Sequence, residues 1–100
     1  MKASYDDEAF EEAMDAAAWY ETQQEGLVRR FLAEWKKAES RMVADPEINS
    51  PFEGDLRKCR FEVFPYTLIY RIVEPDTLQV LAVMHQSRRP GYWKERKKDC

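Results

Sequence analysis

The sequence predicts an α+β fold in which an N-terminal antiparallel helical hairpin packs on a three- to four-stranded antiparallel sheet, with a short C-terminal helix. Apolar residues recur at helical spacing through the first half of the chain. Short β-rich segments separated by turn residues follow between residues 56 and 84. The chain has 100 residues and is 44% hydrophobic, so we expect one domain, spanning residues 1–100, with a substantial core.

The first helix is expected to begin after Ser4, which is predicted as its N-cap with Asp7 in the capping-box position. The apolar residues expected to face the core are Phe10, Ala13, Met14, Ala17 and Tyr20. The acidic residues Glu11 and Glu12 are expected on the solvent face. Gly26 is expected to end the helix, because glycine readily adopts the left-handed conformation found after a C-cap.

The second helix is predicted from near Leu27 to Asp45, because Pro46 disfavours helical geometry in the residue before it. Its apolar residues form one stripe, composed of Leu27, Phe31, Trp35, Ala38 and Met42. The short connection from the first helix favours an antiparallel pair. The aromatic residues expected in the core between helices and sheet are Trp19, Tyr20, Phe31 and Trp35.

Three strands are predicted in the second half of the chain. Residues 46–55 have the composition of a loop, and residues 56–63 alternate between apolar and charged side chains as in a half-buried strand. Residues 66–73 and 78–84 are rich in β-branched and aromatic residues, and a turn at 74–77 connects them. The segment 78–84 is nearly all apolar, which is typical of a central strand. Pro90 is expected to precede a short helix from Gly91 to about Lys97.

Composition limits the function classes. No apolar run approaches the length of a membrane span and no signal segment opens the chain, so we expect a cytoplasmic protein with no membrane contact. Cys59, Cys100 and the single histidine, His85, lack the spacing of metal ligands. The chain has 3 glycines and no glycine-rich phosphate loop. We therefore expect no metal and no cofactor.

The sign of the charge changes along the chain. Residues 1–25 contain eight acidic residues and one basic residue, whereas residues 26–100 contain fifteen basic and eleven acidic residues. The last stretch concentrates the basic residues Arg88, Arg89, Lys94, Arg96, Lys97 and Lys98. Such a segment is suited to nucleic acid or to an acidic protein, or it is simply a solvated tail.

One region of the sequence combines an imidazole with cations. His85 as general acid or base, with Arg88 and Arg89 stabilising a phosphate, would suit phosphodiester cleavage. The residues predicted to contribute binding are Lys58, Arg60, Arg71, Tyr92 and Trp93, the last two by stacking on bases. The alternative role for His85 is that of a structural hydrogen-bonding residue at a strand end. Whether the protein is an enzyme stays open at this point.

Several short motifs, in order and spacing, resemble the RelE/ParE toxin superfamily over about residues 8–96. They are Ala16-Ala17-Ala18-Trp19-Tyr20-Glu21, Gly26-Leu27, Arg30-Phe31-Leu32, Asp45-Pro46-Glu47, Phe64-Pro65-Tyr66, Ile69-Tyr70-Arg71 and Val83-Met84-His85-Gln86 with Arg88, Arg89-Pro90 and Trp93. The resemblance implies the toxin of a type II toxin–antitoxin pair, also called a plasmid stabilisation protein, which a cognate antitoxin neutralises. Family members usually begin with a β-strand, and here residues 1–5 leave room only for a short one or none.

The superfamily includes two activities. ParE-like members inhibit DNA gyrase by binding it, and RelE-like members cut mRNA in the ribosome. RelE-like members carry an arginine where this chain has Thr67, and a threonine cannot supply a fixed positive charge to a phosphate. The resemblance therefore favours the ParE-like branch. Two alternatives stay open: a ribosome-dependent endoribonuclease using Lys58, Arg60, His85, Arg88 and Arg89, and a degenerate, inactive homologue.

Overall fold

The structure, a computed structural model, describes residues 1–88 and 91–93. It contains two helices and four strands, which confirms the α+β class. In chain order the elements are β1 (Lys2–Tyr5), α1 (Asp7–Gln23), α2 (Leu27–Ala44), β2 (Arg57–Arg60), β3 (Tyr66–Val73) and β4 (Thr77–His85).

The sheet has the strand order β1-β4-β3-β2. The predicted antiparallel arrangement is confirmed for β2, β3 and β4, which form a meander. It is wrong for β1, which pairs with β4 in parallel, with Tyr5 opposite Val80. The helical hairpin and two further strands separate β1 from β4 in the chain, so no tight turn forces the pair to be antiparallel. The resulting sheet is mixed.

Strand β1 is only four residues long, but its pairing with β4 and the side chain of Tyr5 hold it in place. The Tyr5 hydroxyl accepts a hydrogen bond from the Trp35 indole N–H (2.7 Å) and donates one to Glu39 (2.8 Å), both on α2. Burial, together with the Glu39 carboxylate, raises the pKa of Tyr5 well above its usual range. Tyr5 therefore stays a neutral donor, and it attaches β1 to α2.

The start of α1 differs from the prediction. Ser4 lies in β1, and the N-cap is Asp6, whose side chain makes no capping hydrogen bond. The Asp6 carboxylate instead accepts hydrogen bonds from the Gln79 side-chain amide at 3.0 and 3.2 Å. The backbone N–H of Asp6 also donates to the Val80 carbonyl (3.0 Å). The first turn of α1 is therefore attached to β4.

Gly26 adopts the left-handed conformation (φ 83°) in the turn between the helices, but it does not directly follow the first helix as predicted. Helix α1 already ends at Gln23, and Gly26 is the residue that directly precedes α2. A side chain at Gly26 would meet no neighbour within 4 Å, so the requirement for glycine is one of backbone conformation alone. The predicted bounds of α2 are confirmed.

The face of α1 that packs on the sheet is rotated from the predicted one. Small residues and one tyrosine are buried there, namely Ala9, Ala13, Ala16 and Tyr20. Phe10 and Met14, predicted in the core, are 48% and 38% exposed. Trp19, also predicted in the core, is 57% exposed. Alanines allow the helix to lie close to the sheet, where a phenylalanine would not fit.

The centre of the core is an aromatic cluster around Phe31, which is fully buried. Its ring centroid lies 5.2–5.7 Å from those of four rings drawn from α1, β3 and the segment before β3, which are Tyr20, Phe61, Phe64 and Tyr66. Phe31 thus connects α2 to both α1 and the sheet. Its predicted core position is confirmed, as are those of Tyr20, Ala38 and Met42.

A second, smaller core covers the sheet face that the helices leave open. It consists of Leu56, Ile69, Leu81, Ala82 and Trp93. Trp93 is 3% exposed and packs against the Phe52 ring. Residues 91–93 form a turn, and the remainder of the predicted C-terminal helix, to about Lys97, lies outside the described residues. The segment after β4 therefore closes the far side of the sheet.

Replacing Phe31 with alanine is expected to destabilise the fold by about 3–5 kcal/mol, because it leaves a cavity at the junction of three elements. Phe10→Ala is the matched control, since it removes the same atoms from a half-exposed position, and its cost is expected to stay below about 1 kcal/mol. Urea unfolding followed by circular dichroism measures both. Equal losses in the two variants would contradict the assignment of Phe31 as the core residue.

Candidate functional site

One edge of β4 is only partly covered by β1. The pairing with β1 spans Thr77 to Val80, so the second half of β4 needs other partners for its backbone groups on that side. Glu12 of α1 provides one of them, because its Oε1 accepts a hydrogen bond from the Val83 N–H (3.0 Å). The carboxylate therefore takes the place that a neighbouring strand would occupy.

The second oxygen of Glu12 connects α1 to the C-terminal segment. Oε2 accepts a hydrogen bond from the Tyr92 hydroxyl (2.5 Å) and lies 3.7 Å from Nη1 of Arg88. The Arg88 guanidinium carbon in turn lies 4.0 Å from the centroid of the Tyr92 ring. These contacts unite a carboxylate, a guanidinium and a phenol at the β4 edge.

The predicted solvent position of Glu12 is wrong, since its side chain is only 14% exposed, whereas Glu11 is exposed as expected. Glu12 lies three residues after Ala9 and four before Ala16, so it borders the buried alanine stripe. This spacing was the signal in the sequence that could have identified it. An acidic residue next to such a stripe is directed toward the sheet edge.

His85, the last residue of β4, is half-buried and oriented by its neighbours. Its Nδ1 accepts a hydrogen bond from the Ser87 backbone N–H (3.0 Å) and lies 2.7 Å from the Ser87 hydroxyl oxygen. The Tyr66 ring packs edge-on against the imidazole, with centroids 5.0 Å apart. Because Nδ1 is an acceptor, the neutral ring carries its proton on Nε2.

Tyr66 is the second titratable ring at this end of the sheet. Burial, with the Tyr20 phenol beside it, raises the pKa of Tyr66 to about 12. The phenol is therefore protonated at neutral pH and can donate a hydrogen bond but cannot act as a base. Tyr66 thus offers a hydrogen-bond donor at this end of the sheet rather than an activated nucleophile.

A cavity of about 210 Å³ lies between α1 and the end of β4, and we call it the β4-end pocket. It is lined by Glu12, Asp15, Ala16, Trp19, Tyr66, Val83, His85 and Arg88. Trp19 is 57% exposed and the Arg88 side chain is 51% exposed. The pocket combines an exposed indole with charges of both signs, a composition suited to contact with another protein.

The other predicted cations lie on the opposite face of the sheet. Lys58 is paired with Ile69 in the strand register and Arg60 with Thr67, so both project away from the helices. Lys58 Nζ lies 4.6 Å from the centroid of the Phe52 ring. Arg71 donates to the Gln79 side-chain carbonyl (2.8 Å) and lies 3.6 Å from the Asp55 carboxylate. These three residues are not brought together with His85.

The remaining candidates lie in or beyond the C-terminal segment. Arg88 and Tyr92 belong to the cluster around Glu12, and Arg89 lies outside the described residues. Trp93 is buried under the far face of the sheet, and its indole N–H has no hydrogen-bond partner in the described part of the chain. In this arrangement the Trp93 ring fills the second core and is not available for stacking on a base.

A second concave surface runs beside β2, and we call it the β2-edge groove. It has a volume of about 590 Å³ and is lined by Arg41, Ala44, Asp45, Ile48, Asn49, Lys58, Cys59 and Arg60. The Phe61 N–H donates to the Tyr66 carbonyl (2.9 Å), so the alternation of an antiparallel pair directs the backbone groups of Lys58 and Arg60 outward. The Arg41 guanidinium already donates to the Arg60 carbonyl (2.6 Å).

Taken together, these features define a small α+β protein with a helical hairpin on a mixed sheet and a C-terminal segment closed around one sheet edge. The family model described as the ParE toxin of type II toxin–antitoxin system, parDE, matches residues 4–90. The chain therefore belongs to the ParE toxin family, which confirms the resemblance seen in the sequence.

A solved structure titled "Chromosomal ParDE TA system from P. aeruginosa" shares the fold, with a TM-score of 0.61. It is 12% identical in sequence, and the match covers 85% of this chain and 95% of that chain. No curated protein sequence matches the chain. Neither helix in the described residues combines the length and the apolar character that crossing a bilayer requires.

Replacing Glu12 with alanine is expected to destabilise the protein by about 1–3 kcal/mol, because the Val83 N–H loses its acceptor. The amide of Val83 should then exchange faster with deuterium than in the parent protein. Glu21→Ala, at an exposed position of the same helix, is the control and is expected to change neither quantity. Equal behaviour of the two variants in urea unfolding and amide exchange would contradict the role assigned to Glu12.

Proposed function

We propose that this protein is the toxin of a type II toxin–antitoxin pair, that it acts in the cytoplasm by binding and inhibiting DNA gyrase, and that a cognate antitoxin neutralises it. The family match over residues 4–90 is the observation that carries the proposal. The arrangement of charged residues in the described part of the chain adds support for binding over catalysis.

A nuclease requires its cations around one scissile phosphate. Here His85 and Arg88 line the β4-end pocket, whereas Lys58 and Arg60 project from the opposite face of the sheet. Thr67, at the position where RelE-like members carry an arginine, is 7% exposed and lies on that opposite face. The described residues thus divide the predicted catalytic set into two groups that one phosphate cannot contact together.

The surface proposed to contact gyrase is the β4-end pocket with its rim. It consists of one flank of α1 and the segment after β4, so it joins the helical hairpin to the basic end of the chain. Trp19 is the large exposed ring of this surface, and Arg88 supplies the exposed positive charge. Tryptophan and arginine are the residue types that most often dominate binding energy in protein interfaces.

Purified protein is expected to inhibit DNA supercoiling by gyrase, and Trp19→Ala is expected to weaken the inhibition about tenfold or more, since it removes a central aromatic contact. Val63→Ala is the control, because Val63 is 67% exposed and lies away from the pocket. The measurement is the concentration that halves supercoiling. If Trp19→Ala inhibits as well as the parent protein, the assigned surface is wrong. If the parent protein does not inhibit, the gyrase proposal is wrong.

The RelE-like alternative rests on one observation, that His85 and Arg88 line the same pocket. A translation extract with mapped mRNA ends tests it alongside the gyrase assay. If the parent protein cleaves mRNA and the combined variant His85→Ala with Arg88→Ala does not, ribosome-dependent cleavage would replace gyrase binding as the proposed function. Inactivity in both assays would identify the protein as an inactive homologue that retains the fold.

The antitoxin is proposed to add an extended segment to β2. An edge strand exposes backbone donors and acceptors that another strand can pair with, and here the outward groups of Lys58 face the β2-edge groove. Ile48, which is 70% exposed beside the groove, offers an apolar contact for the side chains of such a segment.

Lys58→Pro is expected to weaken binding of the cognate antitoxin about tenfold or more, because it removes an outward N–H. The fold should persist, since that N–H does not pair with β3. Lys58→Ala keeps the backbone donor and serves as the control. Titration calorimetry measures the affinity, and amide exchange should show protection of Lys58 in the complex. Unchanged affinity of the proline variant, or no protection, would contradict strand addition at β2.

A further inference from the structure

One flank of α1 forms a wall of the β4-end pocket, and the spacing of its residues explains why. Glu12, Asp15, Ala16 and Trp19 stand at positions i, i+3, i+4 and i+7, so their side chains share one side of the helix. Strands β3 and β4 and the turn after β4 supply the other side of the pocket. The side chains of this flank therefore decide much of what the pocket can bind.

The charges in the β4-end pocket compensate each other except at Asp15. Glu12 Oε2 lies 3.7 Å from Arg88 Nη1, so these two opposite charges balance. His85 in its neutral form adds no charge. The Asp15 side chain is exposed, and within the described residues it forms neither an ion pair nor a hydrogen bond. The described walls of the pocket thus carry an uncompensated negative charge.

The exposed aromatic ring of the pocket is that of Trp19, one helical turn after Asp15. Trp19 is 57% exposed, although tryptophan is on average a highly buried residue. The Tyr20 ring packs against it, with centroids 5.2 Å apart and an interplanar angle of 80°, which restricts the orientation of the indole. Among aromatic side chains the indole attracts cations most strongly.

We propose that the β4-end pocket receives a basic side chain, an arginine, of the target protein. The Asp15 carboxylate pairs with the guanidinium, and the Trp19 indole stacks on its plane. Arginine is favoured over lysine, because its planar group can contact a carboxylate and a ring at the same time. The inference rests on the target-binding role proposed above for this pocket, and it adds the chemical group that is recognised there.

The size of the pocket suits one side chain. Its volume of about 210 Å³ lies below the range of about 300–1,000 Å³ that is typical of small-molecule sites. An arginine side chain is long and narrow, so it can enter with its guanidinium first while its backbone stays outside. A single anchoring side chain that fills a pocket in this way is a common source of binding energy in protein interfaces.

The same charges disfavour a nucleic acid in this pocket. The uncompensated carboxylate of Asp15 repels phosphates, and Arg88, the arginine among the described lining residues, already lies beside Glu12. We therefore expect the pocket to contact the polypeptide of gyrase and not the DNA on which gyrase acts.

Binding of N-acetylarginine amide to the full chain tests the recognised group without gyrase. The indole N–H signal of Trp19 in NMR spectra should shift in a saturable way, with a dissociation constant of about 1–10 mM, because the probe offers a single side chain. The indole signals of Trp35 and Trp93, which do not line the pocket, should stay in place. N-acetylnorleucine amide, which has an uncharged side chain, should bind about threefold more weakly or less.

Variants of Asp15 test the paired charge. Asp15→Asn should weaken binding of the arginine probe about threefold or more, and Asp15→Lys about tenfold or more, because the first removes an attracting charge and the second adds a repelling one. Asp15→Glu keeps the carboxylate and should bind the probe nearly as well as the parent. Asp76→Asn, in the turn at the opposite end of β4, makes the same change in net charge and is the control.

The same variants in the supercoiling assay test whether the target supplies the basic side chain. The concentration that halves supercoiling should be similar for the parent and Asp15→Glu, higher for Asp15→Asn and highest for Asp15→Lys. If the arginine probe binds as expected but the parent does not inhibit gyrase, the gyrase proposal fails and the recognition of a basic side chain stands.

Three results would overturn the inference. The first is a parent protein that binds the arginine probe no better than the norleucine probe. The second is inhibition of gyrase that Asp15→Lys leaves unchanged, because the pocket would then not receive the target's cation. The third is tighter binding of N-acetylglutamate amide than of the arginine probe, which would make Arg88 the recognising group and reverse the charge of the occupant.

Discussion

The unequal length of two neighbouring strands governs much of this structure. Strand β1 has four residues and β4 has nine, so within the described residues about half of one β4 edge has no strand partner. Backbone groups at such an edge need other partners or attract another chain. Glu12 fills part of this requirement by accepting the Val83 N–H, and the same carboxylate holds Tyr92 and Arg88. Through Tyr92 and Arg88 this carboxylate holds the C-terminal segment against α1, beside the β4-end pocket.

The contact between Glu12 and Arg88 also bears on the uneven distribution of charge along the sequence. The sequence is acidic at its start and basic near its end, as if the two ends were independent solvated segments. In the fold, Glu12 from the acidic part and Arg88 from the basic part lie 3.7 Å apart. Two of these opposite charges therefore pair within the molecule, where they hold the segment after β4 against α1. Other charges, such as those of Asp7, Glu11, Arg29 and Lys36, remain exposed at the surface.

The sequence predicted the elements whose patterns are long and local. The apolar stripe of α2 and the apolar, β-rich runs of β3 and β4 each extend over eight or more residues, and these elements lie where they were expected. Strand β1 is too short for alternation to be visible, and its parallel pairing depends on β4, far away in the chain. The candidate site was less predictable because its contacts join residues that lie far apart in the sequence. His85 and Arg88 were recognised, but Glu12 gains its role from Tyr92, 80 residues away, and the burial of Trp93 depends on contacts across the sheet.

The orientation of α1 on the sheet explains both why some residues were wrongly predicted in the core and why large apolar side chains are exposed on this helix. Helix α1 packs on the sheet through Ala9, Ala13 and Ala16, which permit a close approach that larger side chains would prevent. The large side chains of this helix are consequently displaced to its two flanks, Phe10 and Met14 on one side and Trp19 on the other. A helix that only needed to stabilise the domain would gain more by burying the phenylalanine than by burying the alanines, because burial stabilises in proportion to apolar area. The arrangement is therefore better explained by contacts outside the domain. One buried face holds α1 to the sheet, and its two flanks keep large apolar side chains exposed, Phe10 and Met14 on one flank and Trp19 on the flank proposed above to contact the toxin's target.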